Sequence, residues 1–370
     1  MSQLIIRQVE LYKLFIPLHE PFVISLGPIY NAENVIVVIR TQEGITGFGE
    51  CSPFMSINGE SIDTCFIVGQ YFAKLFKGKN ALDIADRVAD MDKLIYGNSS
   101  IKSAFDMALY DIASQYAAEP LYKFLGGANN KTIITDYTVS IGEPQRMAVD
   151  ALKIKKQGYP AIKVKLGKNG RTDVERMKAI RAAVGDEIPL RIDANQGWGF
   201  DEAIETLKAL APLNIQHCEE PIARWDFMNL TALKKISPIP IMADESCGDE
   251  HDAKRLIDLD ACDYLNIKLG KAGGIFKALK IVALARKKQM HLQVGAFMES
   301  RLAMTAFAHF SLCDPLIEHF DFDTALMFKE DPVIGGIVYE KNGVVKVPEG
   351  NGLGATIDEG WLNKFEKIII

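Results

Sequence analysis

Two lysines interrupt an otherwise apolar stretch, AIKVKLG, at residues 161–167. Because side chains alternate along a strand, Lys163 and Lys165 point to the same face. Two ammonium groups side by side in a buried strand cost free energy, unless an anion lies opposite them or one lysine loses its proton. The stretch therefore predicts a functional site in which something anionic faces both lysines.

Similar strand-like segments recur along the chain after residue 133, and most of them end in a charged residue. The predicted strand ends lie near Ser140, Lys165, Asp193, Glu219, Asp244, Lys268, Gly295 and Asp321. From Lys165 onward these ends are 24 to 28 residues apart, and helical patterns such as residues 171–184 fill the intervals. This regularity predicts a (β/α)8 barrel of the TIM type. A doubly wound open sheet is the competing α/β arrangement.

Three carboxylates end three consecutive predicted strands, at Asp193, Glu219 and Asp244. In such barrels the carboxyl ends of the strands carry the active site. Any one of these acids alone is more often a solvated loop residue or an ion-pair partner, but the set suits Mg²⁺, which prefers oxygen ligands. His217 and Cys218, beside Glu219, are interpreted as packing residues, so zinc is not expected.

Lys165 and Lys268 end the second and sixth predicted strands, which lie opposite one another across an eight-stranded mouth. Lys163 raises the positive potential beside Lys165, which favours a neutral amine that can act as a base. A metal that binds a substrate carboxylate can stabilise the charge formed when the neighbouring C–H is deprotonated. Bases on both faces of that carbon would remove a proton on one side and return it on the other, which is racemisation or epimerisation.

The rest of the sequence is compatible with an intracellular enzyme of two parts. The chain has 370 residues, a net charge of −6 and six scattered cysteines without zinc spacing. This acidic balance provides no basic field for nucleic acid, and no apolar run of roughly 18 residues predicts a membrane span. Arg7, Glu10 and Lys13 interrupt any signal-peptide core. We therefore expect a cytoplasmic protein with reduced thiols.

Strand-like and then helical patterns predict an α+β capping domain at residues 1–130. The barrel is predicted at residues 131–325 and carries the catalytic and metal-binding residues. The tail, residues 326–370, again contains strand and turn patterns and is predicted to return to the capping domain. Asn195 and Glu245 directly follow metal-ligand candidates and are expected to support them; either could instead cap the next helix.

These motifs resemble those of the enolase superfamily, specifically its muconate-lactonising-enzyme-like subgroup. The matching features are the Lys163-x-Lys165 pair, the Asp193, Glu219 and Asp244 triad, Lys268 within NIKLGKAGG, DANQGW at 193–198 and MADES at 242–246. The resemblance covers the whole chain. It implies a barrel with a capping domain, a Mg²⁺ cofactor, and catalytic roles for the three lysines.

Asp321-x-Asp323 resembles the corresponding pair of the dipeptide epimerases, which holds the free α-ammonium of a dipeptide. Two acids that cap a helix are the alternative interpretation. The resemblance implies that Mg²⁺ binds the dipeptide carboxylate, while Lys165 and Lys268 invert the α-carbon of its second residue by 1,1-proton transfer through an enediolate. N-acylamino-acid racemase, o-succinylbenzoate synthase and muconate cycloisomerase activities are alternatives. A non-catalytic binding protein would have lost a ligand or a lysine.

Two capping loops, at residues 21–30 and 52–60, give an expected side-chain preference. Ala-Glu epimerases carry an arginine in the first loop, and the aligned position here is Gly27. Because neither loop contains a basic residue, we expect small or apolar residues at the second position of the dipeptide. The candidate substrate-binding residues are Ile24, Gly27, Phe54, Ile57 and Met298. We also expect a homo-oligomer that binds neither nucleic acid nor membranes.

Overall fold

The structure, a computed structural model, describes residues 3–370, so the first two residues of the predicted capping domain lie outside it. The amino-terminal part contains the strands β1 (Ile6–Ile24), β2 (Gly27–Thr41), β3 (Thr46–Cys51) and β4 (Ile133–Ile134). Its helices are α1 (Met55–Asn58), α2 (Ile62–Phe76), α3 (Ile84–Leu94), α4 (Ser99–Tyr116) and α5 (Leu121–Phe124). Strands β1, β2 and β3 pair in antiparallel order, and the helices cover one face of that sheet.

Strand β3 lies unusually close to helix α4, because two glycines replace side chains at the contact. A Cβ atom at Gly47 would lie 2.2 Å from the carbonyl oxygen of Ala108, and one at Gly49 would lie 1.9 Å from that of Ala104. The glycines are two apart on a strand and the alanines four apart on a helix, so each pair shares one face. This contact fixes α4 against the sheet.

The central part contains eight parallel strands that neighbour one another in chain order. They are β5 (Tyr137–Val139), β6 (Ile162–Lys165), β7 (Leu190–Asp193), β8 (Ile215–Glu219), β9 (Ile241–Ala243), β10 (Tyr264–Ile267), β11 (His291–Val294) and β12 (Ile317–Phe320). Each strand ends within one residue of its predicted position.

Helices connect these strands. They are α6 (Pro144–Lys156), α7 (Gly170–Val184), α8 (Phe200–Leu210), α9 (Phe227–Ile236), α10 (Glu250–Asp258), α11 (Leu269–Ala272), α12 (Ile275–Lys288) and α13 (Arg301–Ser311). Their apolar faces pack on the outside of the sheet in one continuous core. Within residues 3–370, no helix is both long and apolar enough to cross a membrane.

The first and eighth strands of this sheet meet at a seam. The amide of Asp136 donates to the carbonyl oxygen of Phe320 at 3.4 Å, and the amide of Phe322 donates to Thr135 Oγ1 at 2.9 Å. The eight strands therefore close into a barrel, and the predicted (β/α)8 fold with a capping domain is confirmed. The predicted domain bounds, 1–130, 131–325 and 326–370, stay a prediction.

The tail returns to the amino-terminal part, as predicted. It contains β13 (Val333–Gly335), β14 (Val338–Tyr339), β15 (Val344–Lys346), β16 (Ala355–Ile357), α14 (Glu359–Leu362) and β17 (Lys367–Ile369). Strand β15 pairs with β4, and β17 pairs with β1, so that the capping sheet has the order β17-β1-β2-β3.

The tip of the β1–β2 hairpin is bonded to the mouth of the barrel. Ser25 Oγ donates to the carbonyl oxygen of Asn195 at 2.9 Å, and the amide of Ile141 donates to that of Val23 at 2.9 Å. These bonds place the first capping loop over the carboxyl ends of the barrel strands.

Candidate active site

Lys163 contacts three carboxylates inside the barrel. Its Nζ atom lies 2.7 Å from Asp321, 2.8 Å from Glu219 and 3.3 Å from Asp193, and the residue is 1% exposed. Burial alone would lower the pKa of this ammonium, but the three carboxylates raise it well above its usual range. The anions predicted to face the lysine pair are therefore side chains of the barrel itself.

Lys165 and Lys268 lie higher in the barrel and line one inner cavity. Lys165 Nζ is 2.6 Å from Asp193 and 5.9 Å from the centre of the Phe22 ring. Lys268 directly follows β10; its Nζ lies 2.7 Å from Asp244. Although burial opposes the charge, Asp244 raises the pKa of Lys268. Each lysine is thus held by one carboxylate and borders the cavity.

The three predicted metal ligands are fully buried at neighbouring strand ends. Asp193 and Glu219 are direct partners in the β7–β8 register. Burial, and then repulsion from Asp193, raises the pKa of Glu219 to about 7. Two amides support this carboxylate, with Asn266 Nδ2 donating at 2.9 Å and Gln293 Nε2 at 3.2 Å.

Asp244 is held by Lys268 and by residues to which the sequence interpretation had assigned no role. Its carboxylate pairs with both Lys268 and Lys271, which hold its pKa well below the usual range in spite of burial. The carboxylate of Glu220 accepts hydrogen bonds from the amides of Asp244, at 2.7 Å, and Ser246, at 3.1 Å. Glu220 therefore fixes the loop that carries Asp244.

Asn195 and Glu245 lie beside the metal-ligand candidates, as expected from their positions in the sequence. The amide of Asn195 donates to Asp193 Oδ1 at 2.8 Å, and its side-chain nitrogen lies 3.3 Å from Glu245 Oε1. Burial and the nearby Asp244 carboxylate raise the pKa of Glu245 well above its usual value. The site thus contains more buried acids than the three metal-ligand candidates alone.

The donor set fits a hard divalent cation, because it consists of buried carboxylate oxygens that repel one another. Within residues 3–370, however, no group of three or more His, Cys, Asp or Glu side chains has its donors gathered for a metal ion. The cause is local: Asp193, Glu219 and Asp244 turn toward lysine ammonium groups. The His217 ring packs against other rings, with its centre 5.6 Å from that of Tyr264, in agreement with its interpretation as a packing residue.

Asp321 and Asp323 follow β12 and line the same cavity as the two lysines, yet their partners differ. Asp321 pairs with Lys163. Asp323 Oδ2 accepts a hydrogen bond from the amide of Thr138 at 2.7 Å, whereas its buried Oδ1 receives none from residues 3–370. Burial and repulsion from Asp321 raise the pKa of Asp323 well above its usual value. A cation placed beside Asp323 would offset this repulsion and lower the pKa again, which favours the ionised carboxylate.

Apolar side chains from both capping loops complete the inner cavity. They are Phe22, Ile24, Ile29, Phe54 and Ile57, together with Met298 from the barrel. The structure does not bring the predicted Gly27 to this lining. Gly27 lies at the turn of the β1–β2 hairpin with φ of 130° and borders an outer groove, while Ile29 lines the cavity instead.

Sequence comparison places both parts of the chain in known families. A family model described as "Mandelate racemase / muconate lactonizing enzyme, N-terminal domain" matches residues 6–126. A second, described as "Enolase C-terminal domain-like", matches residues 146–361, more than half of the chain. The chain belongs to the enolase superfamily.

Several enolase-superfamily relatives with high similarity are epimerases. A D-Ala-D/L-Ala epimerase from Cytophaga hutchinsonii is 56% identical, over 99% of this chain and 100% of that protein. The crystal structure of a dipeptide epimerase from the same organism, with Mg and D-Ala-L-Val, superposes with a TM-score of 0.98 at 56% identity and covers 99% and 100% of the two chains. An Enterococcus faecalis dipeptide epimerase with Mg and L-Leu-L-Tyr gives 0.92 at 37% identity, covering 95% and 99%.

Proposed function

We propose that this protein is an isomerase, a Mg²⁺-dependent dipeptide epimerase that inverts the α-carbon of the second residue by two-base proton transfer through an enediolate. The observation that carries this proposal is a single cavity lined by Lys165, Lys268, Asp321 and Asp323. The epimerase names of relatives as much as 56% identical support the same activity.

The metal would be held by Asp193, Glu219 and Asp244, the buried acids at three neighbouring strand ends. Two of these acids are ion-paired to the two lysines that border the cavity. Bound Mg²⁺ would supply positive charge that replaces these pairings and would stabilise the negative charge that forms when the α-carbon beside the substrate carboxylate loses its proton. Lys163, paired with Glu219 and Asp321, keeps its charge throughout.

Lys165 and Lys268 would exchange the α-proton. One lysine, as a neutral amine, removes the proton with Nζ, and the other, as an ammonium, donates a proton from its Nζ to the opposite face. The aromatic rings of Phe22 and Phe297 lie near the two lysine nitrogens, at 5.9 Å and 4.8 Å from the ring centres. These rings border the lysines with apolar surface, which excludes water from the amines.

Asp323 would bind the α-ammonium of the dipeptide. Its Oδ1 atom is buried without a donor from residues 3–370, while Asp321 is already paired with Lys163. A charge-assisted hydrogen bond to Oδ1 would orient the first residue and set the second between the lysines. Because Ile24, Ile29, Phe54 and similar side chains form the remaining walls, we propose small or apolar second residues as substrates.

The decisive experiment is deuterium uptake from D₂O, measured by mass spectrometry on pooled L,L- and D,L-dipeptides with Mg²⁺ and, in parallel, with EDTA. We expect a gain of one mass unit at the second residue of some dipeptides, which EDTA abolishes and added Mg²⁺ restores. N-succinyl amino acids are tested in the same way. Deuterium uptake by these compounds and by no dipeptide would instead establish a racemase. Ala-Glu as the best substrate would contradict the proposed side-chain preference.

A further inference from the structure

A second, larger cavity lies against the catalytic one. It has a volume of about 460 Å³, which is within the range of roughly 300–1,000 Å³ typical of small-molecule sites. It lies between the hairpin tip at residues 19–23, the loop after β5 and helix α6. Phe22 and Thr138 line both cavities, so the two spaces adjoin at these side chains.

The position of Asp323 relates this space to the substrate. The amide of Thr138, at the boundary between the cavities, donates to Asp323 at 2.7 Å. An ammonium group bound at Asp323 therefore brings the α-carbon of the first residue next to the boundary. We infer that the larger cavity, here called the first-residue groove, receives the side chain of the first residue of the dipeptide. This inference rests on the proposed epimerase function.

The walls of the groove indicate which side chains it would accept. Its interior is formed by apolar side chains that include Val139, Met147 and Ile154. The charged groups at its rim are two cations and two carboxylates that pair with each other. Arg146 lies 3.2 Å from Glu20 and 2.7 Å from Asp150, whose carboxylate is also 3.2 Å from Lys153 Nζ. No net charge is therefore offered to an entering side chain, and large apolar first residues fit best.

The test compares dipeptides that share a second residue: Ala-Val, Leu-Val and Phe-Val, each with a D or L first residue. Deuterium uptake at the valine α-carbon gives kcat/KM for each. The wild-type protein is expected to process Leu-Val or Phe-Val at least as well as Ala-Val. Gly142→Trp should lower the ratio of kcat/KM for Phe-Val to that for Ala-Val by about tenfold or more. A Cβ atom at Gly142 would lie 3.7 Å from Met147 Cγ, and both residues line the groove, so the indole ring would fill it.

Leu326 also lines the groove, so Leu326→Trp should narrow it and lower the same ratio. Val149→Trp is the matched control, because Val149 lies on α6 but is 52% exposed and outside the groove. Wild-type exchange restricted to Ala-Val would overturn the inference, as would an unchanged ratio in both folded groove variants. No deuterium uptake by any dipeptide with the wild-type protein would instead refute the proposed epimerase function.

Discussion

Lys163 and Lys165 are two residues apart on one strand and face the same way, yet they contact different parts of the site. A separation of two residues along a strand is roughly 6.5 Å, so Lys163 lies one layer deeper in the barrel. There it bridges Asp321, Glu219 and Asp193. Lys165 has one carboxylate partner and borders the cavity. The deeper lysine holds three carboxylates in place, and in the proposed mechanism the upper lysine exchanges a proton with the substrate.

Replacement of Lys165 and of Lys268 should impair proton exchange with different stereoisomers of the substrate. Lys268→Ala and Lys165→Ala should each lower the rate of inversion by a factor on the order of 10²–10⁴, because a base or an acid is lost from one face of the α-carbon. Each variant should still exchange the α-proton of the stereoisomer that faces the remaining lysine. Exchange and inversion are separated by mass spectrometry and chiral chromatography. Unimpaired inversion in either variant would exclude a two-base mechanism; Lys254→Ala, at an exposed site on α10, is the control.

Asp323 provides a test of ammonium recognition. Asp323→Asn should raise KM for dipeptides by about 10- to 100-fold, because the negative charge that would pair with the ammonium group is lost. Turnover at saturating substrate should change less. Steady-state kinetics with one dipeptide over a range of concentrations would measure both parameters. Asp201→Asn, an exposed change on α8, controls for altered surface charge, and an unchanged KM in Asp323→Asn would exclude the proposed contact.

At the scale of elements, the contact between β3 and α4 determines how the capping domain is built. Gly47 and Gly49 let the strand approach the helix backbone at Ala104 and Ala108. The loop at residues 52–60, which carries Phe54 and Ile57 to the cavity, follows directly after β3. A shift of β3 relative to α4 would therefore move cavity-lining side chains as well as reduce stability.

Gly49→Ala should destabilise the protein by about 3 kcal/mol or more, because its methyl group would meet the Ala104 carbonyl in a packed core. Gly199→Ala is the matched change, since nothing lies within 4 Å of a Cβ at that position, and it should cost less than about 1 kcal/mol. Urea unfolding of both variants measures the difference. Equal stability of the two variants would show that β3 and α4 can separate without cost.

The elements were more predictable from the sequence than the contacts around the carboxylates. Most barrel strands are apolar runs that stop at a polar residue, so their ends can be read from the sequence alone. Lys271 is different, because it reaches Asp244 from a short helix after β10. Asn266 precedes Lys268 by two residues, and this period-two relation could have indicated its contact with Glu219. The placement of Gly27 outside the cavity depends on the hairpin register, which the loop sequence does not specify.

At the scale of the whole molecule, His309 connects three parts of the chain. It lies on α13 of the barrel, its Nδ1 accepts a hydrogen bond from the amide of Tyr122 at 3.2 Å, and its Nε2 donates to the carbonyl oxygen of Leu353 at 3.1 Å. This arrangement requires a neutral ring. Burial lowers the pKa of His309 to about 4. Protonation of this ring therefore opposes the contacts that join the barrel, the capping domain and the tail.

The free energy of unfolding should therefore fall as the pH is lowered. The unfolded chain binds a proton on this residue below a pH of about 6.5, whereas the folded protein does so only near pH 4. The contribution is complete above the unfolded value and decreases by about 3 kcal/mol between these two pH values. Denaturant unfolding of His309→Gln from pH 7 to pH 4 should show a correspondingly shallower decline. The exposed His251→Gln variant should follow the wild type; identical profiles for all three proteins would exclude this role.

The pairing of β17 with β1 also has a consequence for the order in which the protein is made. Leu11 pairs with Ile368, so β17 covers the side of β1 that faces away from β2. During synthesis β1 emerges before β17, so the outer amide and carbonyl groups of residues 10–12 lack these partners until residues 367–369 leave the ribosome. A nascent chain therefore carries this open strand edge while all the residues between β1 and β17 are made, and other chains can join an edge of this kind.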